Sequence, residues 1–141
     1  LLIDEQHKTL FKIVNDLADA TARNARREVL RQFLNELINE VDIHFKDEEE
    51  LVKPLGYGGY FSHKANHSYL QEVLLEASTK FDRDSSFLTL ETIRSLLDLI
   101  VRHICEEDMP MMQYVSKCEN SDSTAFAEAV PPMTISQLFE F

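Results

Sequence analysis

Apolar side chains recur along this chain every three or four residues, the period of an α-helix with one buried face. His7, Leu10, Phe11, Val14 and Leu17 make the first stripe, which predicts a helix from about Asp4 to about Ala22. Leu30, Leu34, Leu37, Ile38, Val41, His44, Phe45, Glu48 and Leu51 or Val52 make the second. That helix should run from about Arg26 to Lys53, where Pro54 stops it. The stretch from Pro54 to Gly59 holds all three glycines of the chain and predicts a turn. Ser62 can cap a third helix with the stripe His63, His67, Leu70, Leu74, Ala77 and Phe81. After the polar break Asp82 to Ser86, a fourth stripe reads Ile93, Leu96, Leu97, Ile100, His103, Ile104, Asp108, Met111 and Val115. Pro110 should end or kink that helix just past Asp108. Four such helices with short connections predict an all-α, antiparallel up-down-up-down four-helix bundle over residues 1–117. Residues 118–141, polar and then Pro-containing, read as an irregular linker or tail that can lead to another module.

Composition narrows the function classes. A chain of 141 residues is one domain's worth, and three Gly with four Pro argue against an all-β fold. The net charge of −11 leaves no basic stripe for nucleic acid and disfavours docking on an anionic membrane. No apolar run is long enough to span a bilayer, and no signal peptide is visible. Cys105 and Cys118 lie too far apart on one helix to pair, so a reduced, cytoplasmic setting is expected. The chain opens on Leu rather than Met, so a start further upstream is expected.

The chemistry lies on the stripes themselves. All five histidines fall on apolar faces. Each buried imidazole needs partners for its nitrogens, and burying five without a common purpose would be costly. His63 and His67 are four apart, as are His44 and Glu48, so each pair shares a helix face. His103 and Asp108 are five apart, a looser match, and His7 stands alone on the first helix. Imidazoles with a few carboxylates suit a first-row transition metal. A single zinc would leave several of these ligands idle, whereas the set fits two ions. If both carboxylates bridge, they fill all but one position of two six-coordinate ions together with the imidazoles and one bridging oxygen. The pattern is not the Glu-x-x-His of ferritin-like di-iron proteins, because Asp4, Val41, Tyr60, Lys64 and Ile100 stand three before the histidines. HExxH is absent too. A centre rich in imidazole and poor in carboxylate favours reversible dioxygen binding over oxidative attack on a substrate.

The segments Ile-Asp-Glu-Gln-His7-Lys-Thr-Leu-Phe, His44-Phe-Lys-Asp-Glu48-Glu, His63-Lys-Ala-Asn-His67 and His103-Ile-Cys-Glu-Glu-Asp108 resemble the hemerythrins, in particular the bacterial hemerythrin-like domains. The resemblance covers about residues 3–116 and includes all seven ligand positions of that family in order. It implies two iron ions with a bridging oxo or hydroxo group. His63, His67 and His103 would hold one iron. His7 and His44 would hold the other, whose open position takes dioxygen. Glu48 and Asp108 would bridge the pair. Leu10, Phe45, Leu99 and Ile104 lie beside ligands or within one turn of them, and are the candidate walls of an apolar dioxygen pocket. Family members often carry Trp, which this chain lacks. The acidic run Asp47, Glu49 and Glu50 is expected to be a solvated helix face, with Glu106 and Glu107 also exposed.

The function expected is dioxygen storage or oxygen and redox sensing, without catalysis by this domain. The alternatives are a di-iron oxidase or peroxidase, a redox or nitric oxide input domain fused to a signalling output module, and a metal-free helical interaction module.

Overall fold

Helix-forming runs alternate with short turns whose chemistry sets each boundary. The computed structural model describes residues 2–122, with side chains to 120. The tail expected over 118–141 therefore lies outside the described residues from 123 onward. Among the described residues there is no strand. Helix α1 (Leu2–Ala22) starts with Asp4 and Glu5, whose charges favour a helix N-terminus. It ends where Asn24 takes a left-handed conformation (φ 52°) and the Ala25 N–H returns to the Ala20 carbonyl at 3.0 Å. Helix α2 (Arg27–Val52) runs into a 3₁₀ turn, Lys53–Leu55, which contains Pro54. Gly56 then turns the chain with φ 68°, a conformation glycine adopts without strain.

Helix α3 (Tyr60–Arg83) begins earlier than Ser62, which is an exposed residue of its first turn and not its cap. The turn through Gly56 returns the chain to helical geometry by Tyr60, whose N–H reaches the Tyr57 carbonyl, and the His63 N–H reaches Gly59 at 2.9 Å. The polar break after α3 is a built turn. Asp84 accepts from the Ser86 N–H at 3.0 Å and caps a 3₁₀ turn over Ser85–Phe87. Thr89 then accepts from the Thr92 N–H at 3.1 Å and caps α4 (Leu90–His103).

The largest departure from a regular bundle follows α4. Residues Ile104–Asp108 form a π turn, closed by the Met109 N–H on the Ile104 carbonyl, and α5 (Met109–Asp122) continues beyond it. Pro110 therefore does not end the fourth helical segment. It sits in the first turn of α5, where a missing N–H is tolerated. Helical structure also continues past Lys117, where the tail was expected to begin.

Helix α1 packs on α2 and α4, α2 on α3, and α3 on α4, so the bundle is closed and antiparallel. Phe11, Leu17, Leu34, Leu37 and Phe81 are fully buried in its main core. Arg31 ties α2 to α3 by donating to Ser78 Oγ at 2.7 Å and to Asp82, with its guanidinium 4.7 Å from the Phe81 ring. Phe81→Ala should cost about 3–5 kcal/mol by leaving a cavity, readable as a lower denaturant midpoint. A small second core of Val52, Met111 and Val115 holds α5 against the end of α2, with half-buried Tyr57 packed on it. Cys105 and Cys118 are both half-buried and form no disulfide with each other. No helix among the described residues is long and apolar enough to cross a membrane.

Candidate metal centre

The stripes deliver their polar members to one place. Among the described residues the buried polar and charged side chains are His7, His44, Glu48, His63, His67, His103 and Asp108, none more than 4% exposed. α1 supplies His7, α2 supplies His44 and Glu48, and α3 supplies His63 and His67. His103 ends α4, and Asp108 ends the π turn. The π turn explains how residues five apart serve one centre. Its i to i+5 closure adds a residue to one helical turn and brings Asp108 back to the His103 face.

The two carboxylates divide the imidazoles between them. Glu48 Oε1 lies 3.0 Å from His44 Nε2 and 3.8 Å from His7 Nε2. Glu48 Oε2 lies 3.0 Å from His63 Nε2 and 3.1 Å from His67 Nε2. Asp108 repeats the arrangement. Its Oδ2 is 2.9 Å from His7 Nε2 and 3.3 Å from His44 Nε2, while Oδ1 is 3.1 Å from His63 Nε2 and 2.7 Å from His103 Nε2. Two donor groups result: His7 and His44 with Glu48 and Asp108, and His63, His67 and His103 with the same two carboxylates.

These donors fit metal ions. Spacings near 3 Å are those of neighbouring corners around an ion with bonds of roughly 2.1 Å. Glu48 Oε1, Asp108 Oδ1 and His103 Nε2 are buried and make no aligned hydrogen bond. Unpaired buried polar atoms are costly, and a bound cation would satisfy all three.

Charge in the metal-free centre follows from this crowding. Burial alone would lower the His63 pKa, but the adjacent Asp108 and Glu48 carboxylates outweigh it and raise it to about 10. His44 is raised to about 9 by the same balance, and His7 is raised too. Burial would raise the Asp108 pKa, yet the close imidazoles of His103, His44, His63 and His7 hold it well below the usual carboxylate range. Glu48 is likewise lowered. Burial and the Asp108 charge oppose ionisation, and the close imidazoles of His44, His63 and His67 prevail.

The outward ring nitrogens of His44, His67 and His103 are braced by residues that the helical stripes did not reveal, while His63 Nδ1 is buried without a hydrogen bond. His67 Nδ1 donates to Glu49 Oε2 at 3.2 Å. His103 Nδ1 donates to Asn66 Oδ1. His44 Nδ1 donates to Gln6 Oε1 at 2.8 Å, and Gln6 Nε2 donates to Asp47 Oδ2 at 2.6 Å. Glu107 Oε2 stands 3.8 Å from His63 Nδ1. The expected solvated face therefore holds for Glu50 and Glu106 but not for Asp47, Glu49 or Glu107, which are half-buried against the centre. Their pattern along α2 and the π turn is that of a wet helix surface, because only the packing of neighbouring helices brings Gln6 to Asp47 and imidazoles to Glu49 and Glu107.

Leu10, Phe45, Leu99 and Ile104 all line one apolar cavity that also touches His44 and His103. Its volume is about 20 Å³ on a measure where one water needs roughly 10–15 Å³, so it admits one small molecule. Val41, Leu70 and Ile100 line it too. Each stands three residues from a ligand histidine on the same stripe, a signal the sequence carried. Phe45 stacks on the His67 ring at 3.8 Å and 6°.

The model of the hemerythrin HHE cation binding domain matches residues 2–115. The chain is 38% identical over 105 residues to bacteriohemerythrin of Methylococcus capsulatus, covering 74% of this chain and 79% of that protein. It is 32% identical over 102 residues to myohemerythrin of Theromyzon tessulatum, covering 72% and 73%. A crystal structure of wild-type hemerythrin superposes with a TM-score of 0.71 at 36% identity, over 76% of this chain and 82% of that one. The match runs through every helix that brings a donor to the centre, and the chain belongs to the hemerythrin family.

Proposed function

We propose that this chain is a non-haem di-iron protein that binds dioxygen reversibly, for storage or sensing, and does not catalyse turnover. The observation that carries this reading is the set of seven buried donors split around two shared carboxylates beside an apolar cavity. His63, His67 and His103 would hold one iron and His7 and His44 the other, with Glu48 and Asp108 spanning both and an oxo or hydroxo group between them. The group with one imidazole fewer would leave its iron a coordination position for an exogenous ligand. Two ferrous ions there would supply electrons to dioxygen and recover them on its release. The apolar residues of the cavity, which reaches His44, would keep water and protons away from such a position. The imidazole-rich donor set favours release over oxidation of a second substrate.

Dioxygen uptake by the reduced, iron-loaded protein tests this. One dioxygen per chain, with uptake then stopping in the presence of excess ascorbate, is the expected result. Continued consumption would place the protein among oxidases. Leu99→Ala should widen the cavity and speed autoxidation several-fold, followed as decay of the oxygenated absorption band. An unchanged rate would remove Leu99 from the barrier.

One feature favours a sensing role. Asp108 ends the π turn and leads directly into α5, which continues to Asp122. Movement of this carboxylate on ligand binding would therefore pass into α5, which packs on the end of α2. Nitric oxide or redox state could act through the same carboxylate. A full-length coding region lacking any output module would contradict the fused-sensor form of this reading.

A further inference from the structure

Glu48 is flanked in sequence by two carboxylates, and the helix turns them in opposite directions. α2 lies between α1 and α3. With Glu48 pointing into the centre, Asp47 meets Gln6 on α1 and Glu49 meets His67 on α3. One consecutive tripeptide thus supplies the shared carboxylate and a brace for an imidazole of each donor group.

The two braces differ in kind. His67 donates directly to the Glu49 carboxylate at 3.2 Å. His44 donates at 2.8 Å to the neutral Gln6 amide oxygen, with the Asp47 charge one hydrogen bond further out. The amide orientation is fixed chemically: a carboxylate only accepts, so the Gln6 NH₂ faces Asp47 and its oxygen faces His44. An anionic partner fixes the imidazole tautomer and raises its basicity as a ligand, more than a neutral one does. The group braced by Glu49 also has the larger number of imidazoles.

We propose that Glu49 and Asp47 are positioning residues with separate targets, Glu49 serving the three-imidazole position and Asp47 the two-imidazole position, so that the three-imidazole position is the tighter and fills first. This rests on the two-metal reading above. Lys64 Nζ, 3.8 Å from the other Glu49 oxygen, is largely exposed and too weakly held to cancel the Glu49 charge.

The test is a titration of the metal-free full chain with cobalt(II), followed by calorimetry and visible absorption. The parent protein should take up two ions in two resolved steps. Glu49→Gln keeps an acceptor but removes the charge, and should weaken the first step about tenfold or more while sparing the second. Glu49→Ala should weaken the first step further, and Asp47→Asn should weaken the second step while sparing the first. Circular dichroism and urea unfolding of the metal-free variants should match the parent, since both residues are half-buried at the rim. A parent that binds fewer than two ions overturns the two-metal reading and this inference with it. If the parent binds two ions, an unchanged first step in Glu49→Gln overturns the inference alone. So does equal weakening of both steps in each variant, or uptake in a single unresolved step.

Discussion

Replacing Glu48 with Gln should empty both metal positions, not one. The two carboxylate oxygens face different donor groups: Oε1 faces His7 and His44, while Oε2 faces His63 and His67. Gln has nearly the same size, so the core packing around this fully buried position is retained. What is lost is an anionic donor for each position, in a site where burial makes every charge matter more than in water. Metal analysis of the purified variant should fall from two ions per chain to well below one, with the helical circular dichroism kept. A His103→Ala variant gives the contrast, because His103 belongs to one group only and the other group keeps its full donor set. One tightly held ion in Glu48→Gln would mean that the carboxylate does not span the two positions.

Metal binding near neutral pH should release protons, about two per chain from His44 and His63 together with a further contribution from His7, which is raised as well. In the metal-free protein their pKa values of about 9 and about 10 keep both imidazoles charged, paired with ionised Glu48 and Asp108. An imidazole must lose its proton to bind a metal. Apparent affinity should therefore rise as pH rises toward 9 to 10, and acid should release the metal. The same groups govern stability without metal. The histidines contribute fully below their ordinary value of 6.5, and that contribution is lost as pH rises through about 9 to 10. Glu48 contributes above its ordinary value of 4.5 and loses that contribution on acidification, because its folded value is lowered. The metal-free protein should thus weaken at alkaline pH, where the loaded protein does not. Calorimetry in buffers of different ionisation heat reads the protons directly. Release of none would contradict this charge assignment.

The bundle and its donor set were legible in the sequence because both depend on the helical period. A histidine on an apolar stripe is buried by the same packing that buries the leucines. His63 and His67, or His44 and Glu48, meet without any tertiary information. His103 and Asp108 were the imperfect fit, and a π turn resolves it. Nothing in the spacing distinguishes that turn from a looser α-helical contact, and Pro110 suggested a break where the helix resumes. The braces were not legible for a different reason. Glu49 becomes a partner of His67, and Asp47 of the Gln6 amide that braces His44, only through the rotation of α2 between α3 and α1. Gln6 and Asn66 stand next to His7 and His67 in sequence, but only the fold turns them toward His44 and His103. A single sequence does not state which surface of one helix meets which surface of the next.

Reversible dioxygen binding at a di-iron centre is tested most directly by one visible absorption cycle. The iron-loaded protein is reduced without air, exposed to dioxygen, and then swept with inert gas. An absorption band that appears with dioxygen and vanishes on its removal, with no reductant added, is the predicted result. A band that persists after dioxygen is gone, or no band at all in protein carrying two irons, would contradict it.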